Sequence, residues 1–483
     1  MRRRNPYPML VGAALVPALV LFGLWQLADS QVGEPAAVAP ATVPKPGGPV
    51  GMRTPLLSTR RTPGLLSADM NVAAFAAALQ PFADSLPAES CLAVSVNGVP
   101  ANATRADDLL RPASNVKLLV AAVADALMGP EFRFTTAVKA TVGAGGVVDG
   151  DLYLVGGGDP VLSEPWWQTS GITLLPPNVI TDITKLADQV KAAGVTKITG
   201  SVIGDDTRYD DERFAPTVPK QVKSQLEALP VSALEVNDTR VNNQLALDRP
   251  TVASARVFAK LLKDRGIEIG GNSDEAATPE GTPEIATIQS APLPQILHEM
   301  LAQSDNLTAE MMLKEIAVQS KRPGTRQEGI KIVTDTVQSW GAAAGSVAIV
   351  DGSGISDENR VTCNALLTVL RHGNIAGPVG KGLAVLGEGG TTLDGVLTNS
   401  PAAGKLRAKT GTLTNADGVK NKPGAKTLAG YYPVEGGGQI EFAIVLNGES
   451  ITNKNTYRKY WEQLFKILAE YPQGPTAAVL APA

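Results

Sequence analysis

The run Arg111-Pro-Ala-Ser-Asn-Val-Lys-Leu-Leu-Val-Ala-Ala-Val-Ala-Asp-Ala-Leu-Met128 decides how the rest of the chain is read. Past Lys117 it is apolar on nearly every face, and a helix of that kind is normally buried. Pro112 is tolerated at a helix start, and Gly129-Pro130 ends the pattern. At the mouth of this helix stand Ser114 and Lys117, three positions apart and therefore on one face. A serine hydroxyl is a useful nucleophile at neutral pH only when a neighbour takes its proton. Lys117 suits that task if burial and a nearby cation lower its pKa. No other serine in the chain has a lysine three positions later.

The remaining composition bounds the chemistry. At 483 residues the chain exceeds one ordinary domain, and its 44% hydrophobic content supplies sizeable cores. A net charge of −4 gives no basic footprint for nucleic acid. With only two histidines, His298 and His372, and two cysteines, a His/Cys metal centre and a histidine-based triad are both disfavoured. Both histidines read as structural or surface groups. Asp205/Asp206 and Asp210/Asp211 read as acidic turns rather than divalent-metal ligands. No metal and no cofactor are expected.

Basic residues at Met1–Asn5 precede the apolar run Met9–Ala28, which is long enough to span a bilayer. The charge order puts all that follows outside the cytoplasm. An uncleaved anchor over 1–29 is preferred to a cleaved signal peptide, because no small-x-small cleavage site directly follows. A Pro/Ala-rich linker covers 30–66. The folded part divides into 67–133, an inserted unit at 134–285 rich in short strands and glycine turns, 286–470, and a flexible tail at 471–483. Strands are expected at Cys91–Gly98, Lys405–Leu413, Thr427–Tyr432 and Ile440–Leu446, and a closing helix at Asn455–Tyr471.

Two more motifs follow the first. Ser304-Asp-Asn306 joins predicted helices at Leu293–Gln303 and Thr308–Gln319. Lys409-Thr-Gly411, with Thr412 next, lies on a strand, where a glycine lets a ligand approach the edge. Ser-x-x-Lys, Ser-x-Asn and Lys-Thr-Gly in this order characterise class A β-lactamases and penicillin-binding proteins.

From about residue 68 to 470 the chain resembles the D-alanyl-D-alanine carboxypeptidases of the penicillin-binding-protein-4 type. The likeness is carried by Ala113–Leu119, Leu152-Tyr-Leu-Val-Gly-Gly-Gly-Asp-Pro160, Ser304–Glu310, Asp351-Gly-Ser-Gly-Ile-Ser356 and Arg407–Leu413. It implies a mixed α/β fold: a β-lactamase/transpeptidase-like domain, an antiparallel sheet flanked by helices, with an inserted, mostly β unit. It also implies roles. Ser114 is the nucleophile, Lys117 its base, Ser304 a proton relay, and Asn306 orients Lys117 and the substrate amide. Lys409 and Thr410 hold the terminal carboxylate, with Gly411 and Thr412 beside them, and a charged Lys409 keeps Lys117 neutral. Backbone N–H groups of Ser114 and Thr412 form the oxyanion hole. The implied partners are peptidoglycan stem peptides ending in D-Ala-D-Ala, β-lactams as covalent inhibitors, and the membrane through the N-terminal segment. D,D-endopeptidase activity is an equally compatible chemistry. A β-lactamase is disfavoured because no Glu-x-x-Asn stretch follows Ser304. A non-enzymatic scaffold has no need of all three motifs. Cys91 and Cys363, outside the cytoplasm, form either a bridge or two buried thiols. The oligomeric state is left open.

Overall fold

Successive residues of a strand point to opposite faces, and along the last strands both sets are largely apolar, so the sheet they form is buried on both faces. The computed structural model describes residues 63–480 except 173–174, 216, 219–226, 242–243, 246, 415–423 and 436–437. The run Met9–Ala28 and nearly all of the 30–66 linker lie outside the described residues. Among the described residues, no helix is long and apolar enough to cross a membrane.

In chain order, helix α1 (Pro63–Asp84) precedes the hairpin of β1 (Ser90–Val96) and β2 (Val99–Thr104). Asn97 and Gly98 make its turn, both at positive φ. Helix α2 (Val116–Met128) follows, then β3 (Thr135–Lys139), β4 (Leu152–Val155), α3 (Ile183–Ala192), β5 (Val202–Asp205), α4 (Pro250–Asp264), β6 (Asp274–Glu275) and β7 (Glu284–Gln289). Next come α5 (Leu293–Ala302), α6 (Asn306–Gln319), α7 (Arg326–Ser339) and α8 (Cys363–His372). Strands β8 (Ala384–Val385), β9 (Arg407–Leu413), β10 (Gly424–Val434) and β11 (Gly438–Gly448) lead to α9 (Lys454–Ala469).

A six-stranded antiparallel sheet has the order β8-β9-β10-β11-β1-β2. Its two faces feed different cores. Along β11, Ile440, Phe442, Ile444 and Leu446 join Phe75 of α1 and Trp461 and Leu464 of α9. Ala443 and Val445 point the other way, into the core built around α2, α5, α6 and α8. This is why α2 is apolar on all sides: Val116 to Ala124 are all buried. Each leucine there contributes about 1.5–3 kcal/mol by leaving water. Gly129, at φ 77, ends the helix as its glycine requires.

Residues 135–289 build a second, mixed sheet of order β6-β5-β4-β3-β7, packed on α3 and α4 around Leu154, Ile183, Phe258 and Leu262. β7 pairs antiparallel with β3, so this sheet runs across the boundary expected at 285. Ion pairs tie these residues to α6. Glu315, fully buried, accepts from Arg208 Nη2 at 2.6 Å and from Tyr209 Oη at 2.9 Å. Lys314 Nζ meets Asp210 Oδ1 at 2.5 Å. The acidic turns are thus engaged by protein groups: Asp206 pairs with Arg213, and Asp205 accepts from Thr207 and Thr278.

Several expectations are corrected. Helix α1 already begins at Pro63, inside the span read as linker. The expected flexible tail is anchored: Ser67 Oγ donates to Pro475 O at 2.6 Å, and Tyr471 sits edge-on to Phe75 at 5.2 Å. Asn306 opens α6 rather than lying in a loop, with Asp305 as N-cap accepting from Thr308 N. Of the two alternatives left open for Cys91 and Cys363, the bridge is present, linking β1 to the start of α8.

Candidate active site

Ser114 lies in a single 3₁₀ turn, Ala113–Asn115, directly ahead of α2. Ala113 is held at φ 47, a conformation that costs a non-glycine residue roughly 1–2 kcal/mol and persists only where its surroundings fix it. They do so from three sides. Thr427 Oγ1 on β10 donates to Pro112 O at 2.9 Å, and Arg111 N donates to Asn447 Oδ1 at 3.0 Å. Gly354 packs so closely that a β-carbon there would collide with the Ala113 carbonyl oxygen and lie 3.0 Å from Ser114 N. Gly411 on β9 is equally constrained, since its β-carbon would meet Thr427 Oγ1, Ala113 Cβ and Pro112 O. The strand carrying Lys409-Thr-Gly411 is thereby pressed onto the serine turn.

One helical turn later, Lys117 is fully buried. Its Nζ lies 3.2 Å from Ser114 Oγ, 2.7 Å from Asn306 Oδ1 and 2.5 Å from Ser353 O. Asn306 is oriented by its second bond, Nδ2 donating to Glu227 O at 2.8 Å. The structure therefore brings Ser114, Lys117 and Asn306 into one hydrogen-bonded group. Ser304, at φ 64, lies two residues before Asn306 and lines a cavity together with it. Its hydroxyl makes none of the bonds described among Ser114, Lys117 and Asn306. Lys409 is also fully buried and donates to Thr410 O at 2.8 Å. No carboxylate of the described residues forms an ion pair with it. Thr412 Oγ1 accepts from Lys426 Nζ at 2.8 Å. β8 pairs with β9 only at Arg407 and Ala408, so from Lys409 onward this edge of β9 has no strand partner among the described residues.

Burial acts on both lysines. Burial lowers the Lys117 pKa to about 8, opposed by the charges of Asp305, Asp351, Glu310 and Glu227. Burial also pushes Lys409 well below its usual range, helped by the charges of Lys117 and Lys426.

Sequence reasoning missed a third partner of Lys117, the Ser353 carbonyl, and the groups that place it. Asp351-Gly-Ser-Gly354 reads as a tight turn, and its glycines were the available signal. Glu310, four residues after Asn306 on α6, shares its helix face and accepts from Gly352 N and Ser353 N.

The sequence profile of the D-Ala-D-Ala carboxypeptidase 3 (S13) family matches residues 90–250 and 240–471. A carboxypeptidase of Mycobacterium tuberculosis is 28% identical over 480 residues, covering 94% of this chain and 96% of the relative. A D-alanyl-D-alanine carboxypeptidase of an Actinomadura species is 28% identical over 425 residues, covering 71% of this chain and 74% of the relative. Among solved structures, penicillin-binding protein 4 of Haemophilus influenzae superposes with a TM-score of 0.65 at 21% identity, over 81% of this chain and 98% of that one. That likeness establishes the mixed α/β fold with its antiparallel sheet between helical layers. With the profile matching both sheets and every motif of the site, the chain belongs to the D-Ala-D-Ala carboxypeptidase 3 (S13) family.

Proposed function

We propose that this protein releases D-alanine from peptidoglycan stem peptides ending in D-alanyl-D-alanine, through an acyl-enzyme on Ser114. The observation that carries the assignment is the buried Lys117 amine, within hydrogen-bond reach of Ser114 Oγ and with its pKa lowered to about 8. Neutral Lys117 takes the Ser114 proton as Oγ bonds to the penultimate D-alanine carbonyl carbon. The carbonyl electron pair moves onto oxygen, where N–H groups of Ser114 and Thr412 receive it, each such donor being worth about 2.7–4 kcal/mol. On collapse the C–N bond breaks, and the departing amine takes a proton from Lys117 by way of Ser304. Water then attacks the ester, and Ser114 is restored. Asn306 keeps Lys117 and the substrate amide in register.

The substrate adds along the open edge of β9, with its terminal carboxylate between Lys409, Thr410 and Thr412. That carboxylate favours a charged Lys409, and this charge in turn favours neutral Lys117. The base is thus most available when substrate is bound. β-Lactams acylate the same serine; the Haemophilus influenzae protein has been solved with one bound. Met9–Ala28, behind its basic flank, anchors the enzyme outside the cytoplasmic membrane.

The test is D-alanine release by the full chain in detergent from a D-alanyl-D-alanine-ended muropeptide, with and without benzylpenicillin. Penicillin-sensitive release is expected, and it is lost in Ser114→Ala. Unchanged release by that variant refutes the assignment. Cleavage of cross-linked muropeptide dimers without D-alanine release would identify the D,D-endopeptidase reading instead.

A further inference from the structure

Of the three oxygens around Lys117 Nζ, two are carbonyl oxygens that only accept, Asn306 Oδ1 and Ser353 O. The third, Ser114 Oγ, carries the proton to be removed. A neutral amine has two N–H donors and one lone pair. With both donors engaged by the carbonyls, the lone pair is left to face the Ser114 hydroxyl. Ser353 O is therefore part of the base, and whatever fixes the 351–354 turn fixes the aim of the lone pair.

Two carboxylates fix it, Asp351 fully buried and Glu310 partly so. Asp351 accepts from Gly354 N and Ser356 N, each at 2.7 Å, and from Asn359 Nδ2 at 2.8 Å, so the turn is wound around it. Glu310 Oε1 accepts from Gly352 N at 2.9 Å and Ser353 N at 2.8 Å, gripping the peptide units on either side of Gly352. Its other oxygen meets Arg326 Nε at 3.2 Å, and Arg326 also pairs with Glu212. Both Glu310 oxygens are thus committed within the protein, unlike a glutamate that activates a deacylating water.

We infer that Glu310 is a positioning residue for acylation: it holds the Ser353 carbonyl against Lys117 and so aims the lysine lone pair at Ser114. The inference rests on the reading of Ser114 as nucleophile and Lys117 as base. The charged groups acting at this pair of lysines are Asp305 and Glu310 of the α6 segment, Asp351 of the turn, Glu227 beside Asn306, and Lys409 and Lys426 of the sheet.

The test follows the second-order rate of benzylpenicillin acylation against pH. Glu310→Gln keeps an acceptor for both backbone N–H groups but removes the charge. Through Ser353 that charge lies at most about 9 Å from Nζ, so at an effective permittivity of ~20 its removal lowers the Lys117 pKa by about 1.4 pH units or more. The acid limb of the rate should move to lower pH by that amount, with little change in the plateau. Glu310→Ala removes the same charge and also frees the turn, so its limb should move with that of Glu310→Gln while its plateau rate of acylation falls roughly tenfold to 100-fold. An unshifted limb in Glu310→Gln overturns the inference whatever happens to stability, because limb position does not depend on how much enzyme is folded. Ser114→Ala run in parallel separates the two claims: a penicillin adduct in that variant sinks the nucleophile assignment itself.

Discussion

Lowering the pH is the gentlest perturbation of the proposed base, and its effect follows from where Lys117 sits. An ordinary lysine titrates near 10.5, whereas burial brings Lys117 to about 8. At pH 7 about one Lys117 in ten is neutral, against roughly one in 3,000 for an exposed lysine. The burial is therefore worth about 3 kcal/mol, or some 300-fold, in available base. The sign is fixed by the role: the neutral amine is the reactive form, so acylation falls tenfold per pH unit below about 8 and levels above it. Because the charge of Lys117 acts on Lys409, the limb belongs to the pair. Rapid-quench measurement of benzylpenicillin acylation between pH 6 and 10 supplies the profile. A rate independent of pH from 6 to 9, or one still rising past 10, refutes the reasoning.

Lys409→Ala removes a charge-assisted bond to the substrate carboxylate, about 1.5–3 kcal/mol, so kcat/KM for substrates with a free terminus should fall roughly ten- to 150-fold. Amidated analogues should lose far less, and equal losses would contradict the role. Gly411→Ala places a β-carbon against Thr427 Oγ1 and 3.0 Å from Ala113 Cβ, forcing β9 off the serine turn. Acylation should drop on the order of 100-fold while the melting temperature changes much less; parallel losses in both would mean the fold, not the site, was damaged. Reduction of Cys91–Cys363, checked by mass, should destabilise the folded unit by about 2–5 kcal/mol, because the bond closes a loop of 272 residues. An unchanged melting temperature on reduction would count against this.

The parts of the site legible in the sequence were those written in side chains at fixed spacing. Ser114 and Lys117 share a helix turn, and α2 announced its burial through its continuous apolar run. The Ser353 contribution was hidden because a backbone carbonyl leaves no mark on residue type, and its holder, Glu310, lies 43 positions earlier. The charges around Lys117 were also hidden, because Asp305, Asp351, Glu310 and Glu227 come to act on it only after folding. In the fold, Glu284-Ile-Ala-Thr-Ile-Gln289 has polar ends and a half-buried middle, as an edge strand does, and the boundary expected at 285 falls inside it because its pairing with β3 leaves no local mark. The chain end looked loose because what anchors it, the Ser67 hydroxyl and Phe75, lies at the other end of the folded part.

The central claim is that covalent chemistry passes through Ser114. Peptide mapping by mass after brief exposure of the full chain to benzylpenicillin tests it most directly. The account predicts one adduct, on the peptide containing Ser114-Asn-Val-Lys117, absent in Ser114→Ala and slow to form below pH 7. An adduct on another serine, or full labelling of the Ser114→Ala variant, would contradict it.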